Sequence, residues 1–164
     1  MGHQFGRSSL IHLATCHEDM QAVMNLAIRR SRIDFGIAFG YRSLELQFEL
    51  FKKGRKQDES GKWVVANRNE VVTNCDGFLV KSNHNQDPSP AADIYIYVPG
   101  EKQLTWDNEH LTYVAGVIQT CADELLEVGE ISHKVVWGAN WDDDGQIIYD
   151  HNLHDRPHFE LQKP

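Results

Sequence analysis

Positive charge is in short supply in this chain. Lys and Arg total 16 against 24 Asp and Glu, a formal net charge of -8 with a pI of about 5.5. That balance excludes the extended basic field that draws proteins onto nucleic acid or anionic lipid. Cysteine is scarce as well: Cys16, Cys75 and Cys121 are odd in number and lack CxxC spacing, so they read as reduced thiols and exclude a disulfide framework. Nowhere do about 18 apolar residues run together, so no membrane insertion is expected. The opening residues, MGHQFGRSSLIHLATCHEDMQ, contain no apolar stretch followed by a small-residue cleavage site, and no signal peptide is expected. Repeats, linkers and low-complexity tracts are also missing. With 164 residues, 41% of them hydrophobic and 24% charged, the chain has the size and proportions of one globular domain spanning residues 1–164.

What is present is a mixed pattern of helices and strands. From Glu18, the residues Met20, Val23, Met24, Ala27 and Ile28 recur at helical spacing, and Arg29, Arg30 and Arg32 suit the negative end of the helix dipole. This is taken as the first helix. Phe35 to Phe39 is a short β-rich run closed by Gly40, after which Ser43 caps a second helix that reaches about Lys53 and stops at Gly54. Residues 56 to 90 read as a long polar excursion with one strand near Trp63, Val64 and Val65. A strand follows from Ala91 to Val98, with Asp93 where an apolar residue is expected. The longest helix runs from about Asn108 to Glu127 on the stripe Leu111, Val114, Ala115, Ile118, Ala122 and Leu125. Val135 to Trp137 and Pro157 to Leu161 read as strands on either side of an acidic loop.

Two segments combine histidine and carboxylate in ways that packing does not require. One runs from Ser82 through His84 to Asp93; the other is His154-Asp155-Arg156-Pro157-His158-Phe159-Glu160-Leu161. A catalytic zinc takes three nitrogen or oxygen ligands and keeps one position open, a demand that His84, Asp93 and His158 meet. Asp155, three residues before His158, is then placed to act as general base. The chain holds nine histidines, most of which must be surface or hydrogen-bonded structural residues, and His3, His12, His17, His110 and His133 are assigned to that class. An aspartate within a strand is costly to bury alone, so Asp93 is metal-bound, paired, or turned to solvent.

At these residues the chain resembles a known family. Ser82-x-His84 followed by Ala91-x-Asp93, with Asp155-x-x-His158-Phe159-Glu160, is similar to the signature of the VanY-like, D-Ala-D-Ala carboxypeptidase-like metallopeptidases. The subgroup it resembles most is the L-alanyl-D-glutamate endopeptidases, found as phage endolysins and bacterial wall-remodelling enzymes. The resemblance extends to Cys16 through Gln21, to Gly40-Tyr41-Arg42-Ser43 with Gln47, Leu50, Gly54 and Arg55, and to Trp137-Gly138-Ala139-Asn140-Trp141. One departure is the spacing from His84 to Asp93, nine positions against the family's usual seven, with Asp87-Pro88-Ser89-Pro90 between them. The extra length reads as a bulging loop, and Asp87 is a rival ligand.

The resemblance implies an α+β fold of the hedgehog/DD-peptidase kind, with helices packed on one side of a small antiparallel sheet and the metal in a cleft across it. It implies Zn2+ held by His84, Asp93 and His158, Asp155 as base, Arg42 as the cation that steadies the polarised carbonyl or a substrate carboxylate, and support from Ser82 and Gln47. The implied substrate is bacterial peptidoglycan, reached from the host cytoplasm by holin-type release of a monomer, with neither nucleic acid nor membrane insertion involved. The alternatives are a D,D- or L,D-carboxypeptidase trimming the stem's C-terminus, and a zinc-bearing binding module without catalysis. Separately, Asp142-Asp143-Asp144-Gly145, with Asp150 nearby, offers hard oxygen ligands for Ca2+, although the spacing is not that of an EF-hand and a solvated acidic turn is the plainer reading.

Overall fold

The computed structural model describes residues 2–146 and 154–163. The first element, α1 (Arg7–Leu13), precedes the helix expected to come first. Its N-cap, Gly6, makes no side-chain cap bond and its first turn holds no acid, so it lacks the usual start signals. It is held by packing on β1 instead, and the Ser9 hydroxyl accepts from the Ile37 amide at 3.0 Å.

Most of the remaining elements follow the hydrophobic pattern. Helix α2 (Glu18–Arg30) begins at His17, whose Nδ1 accepts from the Asp19 amide. Strand β1 (Phe35–Phe39) leads through Ser43, whose hydroxyl caps the Leu46 amide, into α3 (Leu44–Lys52). Gly54, at φ 71°, then turns the chain through a conformation that side chains resist. The polar excursion contains a two-stranded hairpin, β2 (Arg55–Gln57) with β3 (Trp63–Val65), where one strand was expected. Strand β4 (Ala91–Ile96), helix α4 (Asn108–Glu127, capped by Asp107), β5 (Lys134–Trp137) and β6 (His158–Gln162) complete the order.

Strands β1, β4, β6 and β5, in that spatial order, form one antiparallel sheet. Period-two alternation sends Ala92, Ile94 and Ile96 of β4, Phe159 and Leu161 of β6, and Val135 and Trp137 of β5 into one apolar core. Met20, Val23 and Ala27 of α2, with Leu111, Val114 and Ile118 of α4, close that core from the helical side. The α+β architecture read from the sequence is therefore the one observed. Alternation also leaves Asp93, His158 and Glu160 off the core face, and the functional side chains gather there. No helix among the described residues is long and apolar enough to cross a membrane.

Candidate active site

Strand pairing brings Asp93 directly opposite His158. Side chains of directly opposed residues lie on the same face of a sheet within easy contact, and His158 Nδ1 is 2.9 Å from Asp93 Oδ1. The third group arrives from the 3-10 turn Asn83–Asn85, closed by a capping box in which Ser82 and Asn85 satisfy each other's backbone. That turn places His84 Nε2 at 3.1 Å from Asp93 Oδ1 and 3.2 Å from His158 Nδ1. The longer spacing from His84 to Asp93 is taken up by residues 85–90 and does not separate the two side chains. Asp87, the rival ligand, is exposed and outside this group.

The outer nitrogens decide what the inner ones can do. His84 Nδ1 lies 2.6 Å from the Gly40 carbonyl, an acceptor, so this nitrogen carries the proton. His158 Nε2 lies 3.2 Å from the Glu160 carboxylate and carries its proton there. His84 Nε2 and His158 Nδ1 are thus left as lone pairs, aimed with a carboxylate oxygen at one point. Three acceptors so close together repel unless a cation lies between them. A proton on His84 is a poor candidate, because burial, then Arg42 and His158, hold the His84 pKa well below its usual value. The donor set suits a metal ion.

Arg42 balances the site from the other side. It is buried, its Nη2 pairs with Asp93 Oδ2, its Nη1 reaches Gln47 Oε1 at 3.4 Å, and its guanidinium lies 4.5 Å above the Phe39 ring. Burial lowers its pKa to about 10, still leaving it charged at neutral pH. Its Nε has no acceptor among the described residues. Gln47, fully buried, also donates to Thr73 Oγ1 and the Cys75 carbonyl, so it braces the loop that walls the cleft. Ser82 caps the His84 amide and supports the turn from behind.

Asp155 comes to the site on a tight turn. Its amide donates to the Gly138 carbonyl at 2.8 Å, its carbonyl accepts from the His158 amide at 3.0 Å, and Trp137 Nε1 pins the Arg156 carbonyl at 2.7 Å. A Cβ on Gly138 would stand 2.4 Å from the Asp155 carbonyl oxygen, so this approach demands glycine. The Asp155 carboxylate lines the cleft, and its pKa is raised by burial against the opposing pull of His158 and Arg42. The cleft has a volume of about 660 Å³, with Trp106 and Trp141 among its walls.

Similarity to known proteins agrees with this geometry. A family profile described as phage L-alanyl-D-glutamate peptidase matches residues 1–162. The chain belongs to that family. Among solved structures, the Serratia marcescens L-Ala D-Glu endopeptidase ChiX is similar in fold: the TM-score is 0.64 at 22% identity, covering 97% of this chain and 90% of that one. No curated protein sequence matches.

The site also relies on residues to which the sequence reading assigned no role. Glu160 fixes the orientation of His158, and Asn83 Nδ2 in turn holds Glu160 at 2.8 Å. Position i+2 on a strand shares the face of i, which was the available signal. Arg55 clamps the wall segment by donating to the Phe51 and Thr73 carbonyls and to Asn74 Oδ1.

A second histidine-carboxylate group, His17, Asp19 and His133, also converges. Here the nitrogens facing the carboxylate are already spent: His17 Nδ1 accepts from the Asp19 amide, and His133 Nδ1 bonds Asp19 Oδ2 at 2.8 Å. Asp19 Oδ2 further accepts from the Ser132 and His133 amides, so the group ties α2 to the segment before β5. This fits the structural class to which His17 and His133 were assigned. In the acidic loop, Asp143 pairs with Lys134 and Asp144 accepts from the Gln146 amide; Asp142–Asp144 are in neither converging group, and Asp150 lies outside the described residues. All three cysteines are free.

Proposed function

We propose that this L-alanyl-D-glutamate peptidase is zinc-dependent, that His84, Asp93 and His158 hold the ion, and that Asp155 is the general base in cleaving peptidoglycan stem peptides. The observation carrying the reading is the pair of imidazole lone pairs that share a focus with Asp93 Oδ1. Two imidazoles and a carboxylate are a donor set typical of catalytic zinc. Bound there, zinc supplies Lewis acidity toward a carbonyl oxygen and makes water a stronger acid.

The chain's own groups then move the protons. Asp155 takes a proton from the attacking water and returns it to the departing amine of the D-glutamyl residue; its raised pKa narrows the gap between those tasks. Arg42 keeps Asp93 ionised, and its charge in the cleft wall steadies the oxygen that gains charge. Glu160 and the Gly40 carbonyl keep both imidazoles in the required tautomer. We further propose that the enzyme works as one domain and a monomer, reaching the wall through a holin-type lesion.

Digestion of purified peptidoglycan by zinc-loaded and chelator-stripped protein, read by mass spectrometry, tests the reading. Peptides that begin at D-glutamate, formed only with zinc, are expected. Loss of a terminal D-alanine alone would instead identify a carboxypeptidase, and no zinc-dependent product would identify a binding module.

A further inference from the structure

Two cations in the cleft have no task in the chemistry above. Lys53, at the C-cap of α3, and Lys81, immediately before Ser82, both line it. Neither ammonium meets a carboxylate among the described residues, whereas Lys52 pairs with Glu49 and Lys134 with Asp143. Arg42, the other cleft cation of this kind, is committed to Asp93. In a chain of net charge -8, two exposed ammonium groups lining the catalytic cleft without a carboxylate partner mark a place for an anion.

Their backbones are well fixed. The Lys53 amide donates to the Leu50 carbonyl at 3.2 Å. Lys81 lies between two closed turns: Asp76 Oδ1 accepts from the amides of Phe78, Leu79 and Val80, and the Ser82 amide donates to Asn85 Oδ1. Side-chain freedom remains in each lysine, but the base from which each reaches is set.

The substrate class supplies the matching anion, and on this point the inference rests on the L-alanyl-D-glutamate reading. A D-glutamyl residue has two carboxyl groups besides the amine released by cleavage. A linear peptide continues through only one of them, and the other remains as a carboxylate or an amide. We propose that Lys53 and Lys81 form an anion subsite for this second carboxylate, so that the enzyme discriminates between acidic and amidated stem peptides. Each lysine offers compact positive charge and three donors, suited to a carboxylate held partly out of water.

Steady-state cleavage of two synthetic peptides by the metal-loaded enzyme tests this. Both contain L-Ala-D-Glu and differ only in whether the second carboxyl of glutamate is free or amidated. Wild type is expected to favour the acid about tenfold in kcat/KM, chiefly through KM, as a partly exposed ion pair allows. The double variant Lys53→Ala/Lys81→Ala is expected to bring that ratio close to one, and Lys53→Arg/Lys81→Arg to keep most of it. A wild type that cuts both peptides equally well, or a ratio unmoved in the double alanine variant, would overturn the subsite while leaving the peptidase reading intact. Cleavage of neither peptide would overturn both.

Discussion

Asp93 on β4 and His158 on β6 are direct partners in the antiparallel ladder, so sheet register alone brings an oxygen of one within 2.9 Å of a nitrogen of the other. The third donor, His84, comes from a loop turn whose own caps hold it. Two donors therefore rest on paired strands in the middle of the sheet, and one on a braced excursion.

Because the donors repel one another without a cation, metal removal is expected to be felt throughout the protein. Chelation should lower the thermal midpoint, and titrated zinc should restore it with a dependence on free metal that follows binding linkage. The Arg42–Asp93 pair does not need the metal, so the stripped protein is expected to remain folded. Calorimetry with circular dichroism checks both points; an unchanged midpoint would count against the site.

Asp155→Ala is expected to cost at least about a hundredfold in turnover, the usual scale for losing a general base. Metal content should be close to wild type, since Asp155 is outside the converging donors. The paired measurements are product formation by mass spectrometry and bound zinc by elemental analysis.

Glu160→Ala is expected to weaken metal affinity about 10- to 100-fold, because His158 loses the acceptor that fixes its tautomer. Asn83→Ala should have a smaller effect in the same direction, acting through Glu160. Competition with a chromophoric chelator reads both without any assay of activity.

Asp19 sets a pH dependence of stability. Burial alone would raise its pKa, but hydrogen bonds from His133 and Ser132 outweigh this and hold the folded carboxyl below its usual range. A depressed carboxylate contributes stability that is present above the unfolded pKa and lost as pH falls through the folded one. Asp19→Asn is therefore expected to destabilise the protein at neutral pH by about 1–3 kcal/mol, and the difference from wild type should shrink below about pH 4. Denaturant unfolding across pH measures it.

The sequence made most of this architecture readable, for identifiable reasons. Helix α4 was read to its terminal residues because its apolar stripe is long and Asp107 caps it. Helix α1 was missed because seven residues without a cap or an acidic first turn carry little signal. Strand β2, Arg-Lys-Gln, was hidden by its polarity, since pairing with β3 rather than burial holds it. Within the site, the donor triad and Asp155 stood out as residue types out of place. The parts played by Glu160, Asn83 and Arg55 depend on which face or wall each meets, and this emerges only once the strands are in register.

The register also divides the chain into stretches where length is free and stretches where it is not. Between His84 and Asp93, Asn85 closes the His84 turn and Ser89 is buried and bonded to Thr15 and His17, so only the exposed Gln86, Asp87 and Pro88 offer a place where the loop can be lengthened or exchanged. Between Asp155 and His158 a single hydrogen-bonded turn lies against Gly138, and a residue added there would rotate the base away from the donors. Chimeras that graft new loops onto this peptidase therefore have one natural port beside the cleft and one junction to leave untouched.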